Sequence, residues 1–227
     1  MRNKLLLLLL PLLLSFSGYS VTNPSTWIEL GFSKNIIKNL KFEFNPELRL
    51  LGNYKMDSYI LEGGLSYKVH KYLTVASYYR YEDEWDYKKS TGAYKGQQTS
   101  SRLAFDAKSG IEMFRFNFQV RIRYTNGLYA NNDASEFRYR AKIGYNIKGI
   151  KLVPYLSAEF FHDLSVAETD RNNISGGFKY IDKGRYTAGL EYTINKSNDV
   201  SLFYRLQDNR IKDVSTNIIG LGYSHDF

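Results

Sequence analysis

The chain has 227 residues, 43% hydrophobic and 24% charged, with 20 tyrosines, 14 phenylalanines, no cysteine and a formal net charge of +8. A mean hydropathy of −0.41 excludes a bundle of membrane helices, and the size fits one all-β domain. Without cysteine no disulfide can staple the fold, so burial and hydrogen bonding alone must hold it together.

The first element is MRNKLLLLLLPLLLSFSGYS, residues 1–20. Arg2 and Lys4 precede an apolar run from Leu5 to Leu14, and Gly18, Tyr19 and Ser20 form a small-x-small cleavage site. The run is interrupted by Pro11 and too short to cross a bilayer. It reads as a signal peptide over 1–20, with a domain over 21–227. No cysteine follows to carry a lipid anchor. An exported chain is not expected to meet nucleic acid, so its basic balance has to act elsewhere.

From Trp27 onward, apolar and polar residues alternate. The alternation predicts strands near 26–34, 40–51, 57–69, 73–83, 100–109, 113–125, 134–147, 150–162, 184–195, 199–208 and 215–227. The stretch FRFNFQVRIRYTNG, residues 114–127, shows what is at stake. Phe114, Phe116, Phe118, Val120, Ile122 and Tyr124 share one face, and Arg115, Asn117, Gln119, Arg121 and Arg123 share the other. In a soluble sandwich the oily face is the core. In a membrane barrel it meets lipid, and the arginines line the lumen.

The connections sort into two kinds. Short ones fall at 35–39, 70–72, 109–112, 148–149 and 196–198; longer ones fall near 84–99, 126–133 and 163–183. Short turns on one side and long loops on the other are the habit of outer-membrane barrels. Tyr59-Leu61-Gly63-Leu65-Tyr67, Tyr139-Ala141-Ile143-Tyr145 and Tyr186-Ala188-Leu190-Tyr192 place tyrosines at both ends of an apolar middle, as two aromatic girdles require. The reading is therefore an antiparallel transmembrane β-barrel of about 10–12 strands in a bacterial outer membrane. An odd strand number would be unusual for such a barrel. It leaves two expectations open: residues 21–33 lie partly in the lumen, or 173–181 adds a strand.

The last residues, NIIGLGYSHDF, alternate back from Phe227 through His225, Tyr223, Leu221 and Ile219. They resemble the terminal signature that the outer-membrane assembly machinery reads, with Phe227 as the assembly signal and His225 a departure from the usual apolar residue. The runs KNLKFEFNPELRL, EGGLSYKVHKYLTVASYYRY, SEFRYRAKIGYNI and GLEYTI resemble an uncharacterised outer-membrane β-barrel family (DUF2490 type). Its members repeat a strand, a Lys-rich turn and a strand with Glu and Arg facing inward, and the likeness covers most of the mature chain. More distantly, the chain is similar to small monomeric porins for acidic oligosaccharides. Neither resemblance carries a catalytic residue across.

Function would sit on the inward face. Its candidate solute-binding residues are Arg49, Arg80, Arg102, Arg121, Arg123, Arg138, Arg140, Arg185 and Arg205, with Glu43, Glu47, Glu62, Glu82 and Glu136 as acidic partners. Most of these arginines fall toward the long-loop ends of their strands, which predicts an arginine belt near one mouth. Such a belt is either a filter gripping carboxylates or phosphates or one half of a salt-bridged plug. The histidines number only three, His70, His162 and His225. His162 lies near Ser157, but no G-x-S-x-G elbow is present. Asp133, Asp163, Glu168 and Asp170 lack the spacing of a Ca²⁺ loop. The expectation is a small passive channel favouring anionic solutes, without catalysis, cofactor or metal, and with outer-membrane lipid and the assembly machinery as partners. The alternatives are a plugged scaffold, receptor or adhesin and, behind it, a lipid-modifying barrel enzyme.

Overall fold

The computed structural model describes residues 24–87, 91–128, 135–166, 180–211 and 213–227. The signal peptide of the sequence reading, and residues 173–179 of its possible extra strand, lie outside them. Eleven strands are described: β1 (Ser25–Ile37), β2 (Leu40–Leu50), β3 (Met56–His70), β4 (Leu73–Tyr87), β5 (Tyr94–Met113), β6 (Phe116–Gly127), β7 (Glu136–Tyr145), β8 (Leu152–Asp163), β9 (Lys183–Asn195), β10 (Asn198–Asn209) and β11 (Val214–Asp226). Each pairs antiparallel with its sequence neighbour, and β1 closes the barrel against β11.

The closing pair explains how an odd number of strands forms a complete wall. β1 and β11 run parallel, from Ser25 opposite Ile218 to Ser33 opposite Asp226. The described chain thus enters the wall at the long-loop end and leaves it at the short-turn end. Residues 25–33 are wall strand and do not occupy the lumen, which corrects one of the two expectations above. With every strand paired on both sides, no edge is left to recruit another chain.

The strands tilt strongly. A walk through directly paired residues starts at Asn35, near the short-turn end of β1. It passes Asp106 and Phe161 and finishes at Val214, the first residue of β11 at the opposite end. Tilt of this kind is what lets a sheet close into a barrel.

The oily face points out. Leu61, Leu65, Val75, Phe105, Val120, Ile122, Leu156, Leu190, Leu202 and Leu221 are all exposed large hydrophobics, while Glu62, Arg80, Asp106, Arg123, Arg138 and Glu159 are buried. A water-soluble globule buries the first set and exposes the second. Among the described residues the interior holds two small apolar clusters, Trp27 with Phe203 and Ile218, and Tyr78 with Ala76 and Ala104.

Two connections differ from the sequence reading. The β5–β6 turn lies at Phe114–Arg115 rather than at 109–112, with Phe114 at φ +56° and 97% exposed. Ser109 and Gly110 are ordinary strand residues opposite Val120 and Gln119. The 84–99 connection is mostly strand, because β4 and β5 stay paired out to Tyr87 and Tyr94. They form a two-stranded ribbon beyond the point where β3 and β6 stop. At its base, on the outer wall, Asp83 accepts hydrogen bonds from Tyr59 (2.8 Å), Tyr81 (3.0 Å) and Thr99.

Candidate functional site: a cationic lumen closed at mid-height

The inward face alternates charged residues with glycines and aromatics, and the aromatics decide how the space is filled. Tyr78, Tyr155 and Phe203 each stand directly across from an inward glycine on the next strand: Gly64, Gly189 and Gly220. A Cβ on Gly220 would lie 2.0 Å from the Phe203 ring, and one on Gly189 2.6 Å from the Tyr155 ring. The rings therefore lie flat on bare backbone, and only glycine leaves room for them.

Two further aromatics act as posts for cations. The guanidiniums of Arg49, Arg185 and Arg205 lie 4.1, 5.1 and 4.9 Å from the ring centre of Trp27. Those of Arg138 and Arg185 and the ammonium of Lys183 lie 5.1, 4.7 and 4.1 Å from that of Phe161. The negative face of each ring screens cations that would otherwise repel one another. None of these inward aromatics belonged to the sequence-based site, which named only charged residues. Strand parity would have found them, since Trp27, Tyr78, Phe161 and Phe203 each stand two residues from an inward charged residue.

Across the middle of the lumen the predicted arginines and glutamates interlock. Arg123 makes a bidentate pair with Glu62 (2.8 and 3.0 Å) and a second with Asp106 (2.6 and 3.0 Å). Glu62 also receives Arg80 at 3.7 Å, and Arg80 meets Glu82 at 3.4 Å. Glu82 in turn takes Arg49 at 3.3 Å, whose Nε donates to Glu47 at 2.7 Å. On the opposite wall Arg121 pairs with Glu159 at 2.5 Å and Arg185 with the same carboxylate at 3.7 Å. Arg138 holds Glu136 at 2.5 Å, and Arg205 reaches across the closing strand to Glu29 at 3.0 Å. Such forked pairs are strong and geometrically specific.

This lattice shuts the lumen among the described residues. Ile60, Glu62, Tyr78, Ala104, Asp106, Arg123, Thr125, Glu159, Phe161 and Phe203 all point inward, are all buried and lie outside the chamber at the long-loop end. Arg123 of β6 reaches Glu62 of β3 past the two strands between them, so side chains occupy the lumen at that level. Eleven strands lie nearer the eight whose interior side chains can fill than the sixteen or more that leave an aqueous channel.

Only part of the expected belt gathers at one mouth. Arg49, Arg80, Arg102, Arg138 and Arg185 do line one chamber, a cavity of about 370 Å³ at the long-loop end, together with Lys183 and the acids Asp57, Glu82 and Glu84. Arg205 lies below it beside Trp27, and Arg121, Arg123 and Arg140 belong to the closed middle. Glu43 lies toward the other end, where Ser66 and Tyr78 each donate to it at 2.5 Å and Lys108 stands 3.4 Å away.

The register also forces like charges together. Arg80 stands directly opposite Arg102, Arg121 opposite Arg140 and Arg123 opposite Arg138. Directly opposed like charges destabilise a sheet unless something intervenes. Carboxylates intervene for Arg80, Arg121, Arg123 and Arg138, but among the described residues Arg102 and Arg140 have no ion-pair partner within 4.0 Å. Phe227 lies outside the lumen, 69% exposed, with its N–H bonded to Ser33 O at 2.8 Å and its ring 4.2 Å from that of His225. No cluster of three or more His, Asp or Glu residues arranged to hold a metal occurs among the described residues.

Comparison with curated proteins finds no similar chain. The model of one protein family matches residues 25–217, from the first residue of β1 into β11. Its match spans ten of the strands entirely, so the chain belongs to the family described as "Protein of unknown function (DUF2490)".

Proposed function

We propose that this protein is a bacterial outer-membrane barrel whose lumen is closed at mid-height, and that it acts as a receptor for small anionic solutes at its long-loop end. It performs no reaction. The observation that carries this reading is the cross-lumen lattice centred on Arg123, Glu62 and Asp106. Above it the chamber is lined by six Arg and Lys side chains, five of them ion-paired and Arg102 without a carboxylate within 4.0 Å among the described residues, a cation left to attract anions.

Two features support the membrane setting. The outer wall carries the apolar band with tyrosines such as Tyr67, Tyr139, Tyr186 and Tyr192 at its borders. Every short turn carries an exposed cation just beyond that band: Lys38, Lys71, Arg115, Lys148 and Lys196. Cations at that level suit the phosphates of a membrane surface. Export would rest on residues 1–20, and assembly on recognition of Phe227 by the barrel assembly machinery.

The second reading is a passive channel for the same anions. It is favoured by one observation: among the described residues only side chains, and no backbone segment, cross the lumen. Planar-bilayer conductance separates the two. The receptor predicts a silent wild type and measurable pores once Arg123→Ala and Glu62→Ala open the lattice together. Ohmic, anion-preferring pores from the wild type would replace it with the channel.

A further inference from the structure

We infer that the chamber at the long-loop end is a binding site for a phosphomonoester, with Arg80 and Arg102 as its gripping pair. The inference rests on the receptor reading and adds its ligand class. It starts from the opposed arginines of β4 and β5. Arg80 and Arg102 line the cavity and face each other directly across the strand pair. Both Nε–H groups are buried and have no hydrogen-bond partner. Arg80 is only 8% exposed, so its unused donor is shut away from bulk water as well. Ser58, in register with both Arg49 and Glu84 of the lining, carries a third buried donor without a partner.

A buried donor left unmade costs free energy, and two opposed guanidiniums add repulsion. An oxyanion between them relieves both at once, because its oxygens accept from the guanidinium forks while its charge separates them. The donor count favours a phosphate over a carboxylate. Of the six lining cations only Arg102 lacks a carboxylate within 4.0 Å among the described residues, but the three unpartnered donors on Arg80, Arg102 and Ser58 match the three acceptor oxygens of a phosphate ester, which is largely dianionic at neutral pH. The size limits the rest of the molecule. About 370 Å³ is near the lower end of small-molecule sites, enough for a phosphate on a single sugar and too little for a long oligomer. The neighbouring acids Glu82 and Glu84 can accept hydrogen bonds from sugar hydroxyls.

The test is calorimetric titration of the refolded mature chain in zwitterionic detergent with four probes: inorganic phosphate, glucose 6-phosphate, glucuronate and glucose. The site predicts binding of both phosphates, glucuronate at least tenfold weaker, and no detectable heat from glucose. Arg102→Gln should weaken glucose 6-phosphate by tenfold to a hundredfold, and Arg102→Lys by less. Lys196→Gln, at the opposite end, should leave it unchanged and so controls for net charge. Heat-modifiable migration on gels shows that each variant still closes its barrel. Equal affinity for glucuronate and phosphate, or an Arg102→Gln variant that binds like the wild type, overturns the inference. Tight glucuronate binding without phosphate preference would refute the ligand class and leave the receptor standing; a conducting wild type that still binds phosphate would do the reverse.

Discussion

Replacing Arg123 by alanine should be among the most costly single changes in the lumen. Its guanidinium satisfies two carboxylates with four hydrogen bonds of 2.6–3.0 Å. The three side chains are 5%, 8% and 0% exposed for Arg123, Glu62 and Asp106. Breaking a buried pair from one side strands the remaining charge and typically costs about 3–5 kcal/mol. Two distant cations soften the loss, Arg80 at 3.7 Å from Glu62 and Lys108 at 3.9 Å from Asp106. The expected loss is therefore about 3 kcal/mol, at the lower edge of that range. Neutralising all three partners together, as Arg123→Met with Glu62→Gln and Asp106→Asn, should recover part of it, because no carboxylate is left stranded and Arg80 and Lys108 keep Glu82 and Glu43. Guanidinium unfolding of the refolded barrel measures both. The chain has only two tryptophans, Trp27 in the lumen and Trp85 on the ribbon, as fluorescent reporters. A loss below about 1 kcal/mol, or a triple variant no better than the single one, would refute a buried, mutually dependent lattice.

Gly220→Val should clash with the Phe203 ring, which would lie 2.0 Å from the new Cβ, and cost about 1–3 kcal/mol; adding Phe203→Ala should relieve the clash in the same unfolding assay. Val120→Arg, on the exposed apolar wall, should destabilise the protein in lipid vesicles by about 2–4 kcal/mol, while Val120→Leu changes little. Deleting Phe227, which is 69% exposed, should leave the stability of refolded protein almost unchanged yet lower the amount recovered from outer membranes on expression.

Much of the wall was legible because period-two alternation is a direct consequence of strand geometry. The segment from Phe116 to Gly127 shows this: the same alternation that marks it as a strand also says which side is oily. What alternation could not carry was closure and height. Parallel pairing of Ser25–Ser33 with Ile218–Asp226 depends on where two distant ends meet, and no local pattern records it. The true β5–β6 turn then sets Arg102 and Arg121 at different heights: Arg121 pairs with Lys108, six residues along β5 from Arg102. The β5–β6 turn escaped for a separate reason. Ser109-Gly110 has the composition of a turn, yet the chain reverses at Phe114, an aromatic in a left-handed conformation that turn rules do not favour. The ribbon beyond Asp83 looked like loop because its residues are polar. What supports it is the tilted contact of Tyr59 with Trp85 and the edge-on contact of Tyr87 with Tyr94, together with the hydroxyls gathered on Asp83.

Because the chain has no native cysteine, single nitroxide labels can be placed at will, and neighbouring residues 156 and 157 on β8 give the sharpest comparison. Leu156 lies on the exposed apolar wall, and Ser157 faces the lumen between Lys142 and Thr187. In lipid vesicles a label at Leu156→Cys should be relaxed by oxygen and protected from an aqueous nickel complex, with the opposite ranking at Ser157→Cys. A nickel-accessible label at Leu156 beside an oxygen-accessible one at Ser157 would turn the wall inside out and contradict the account.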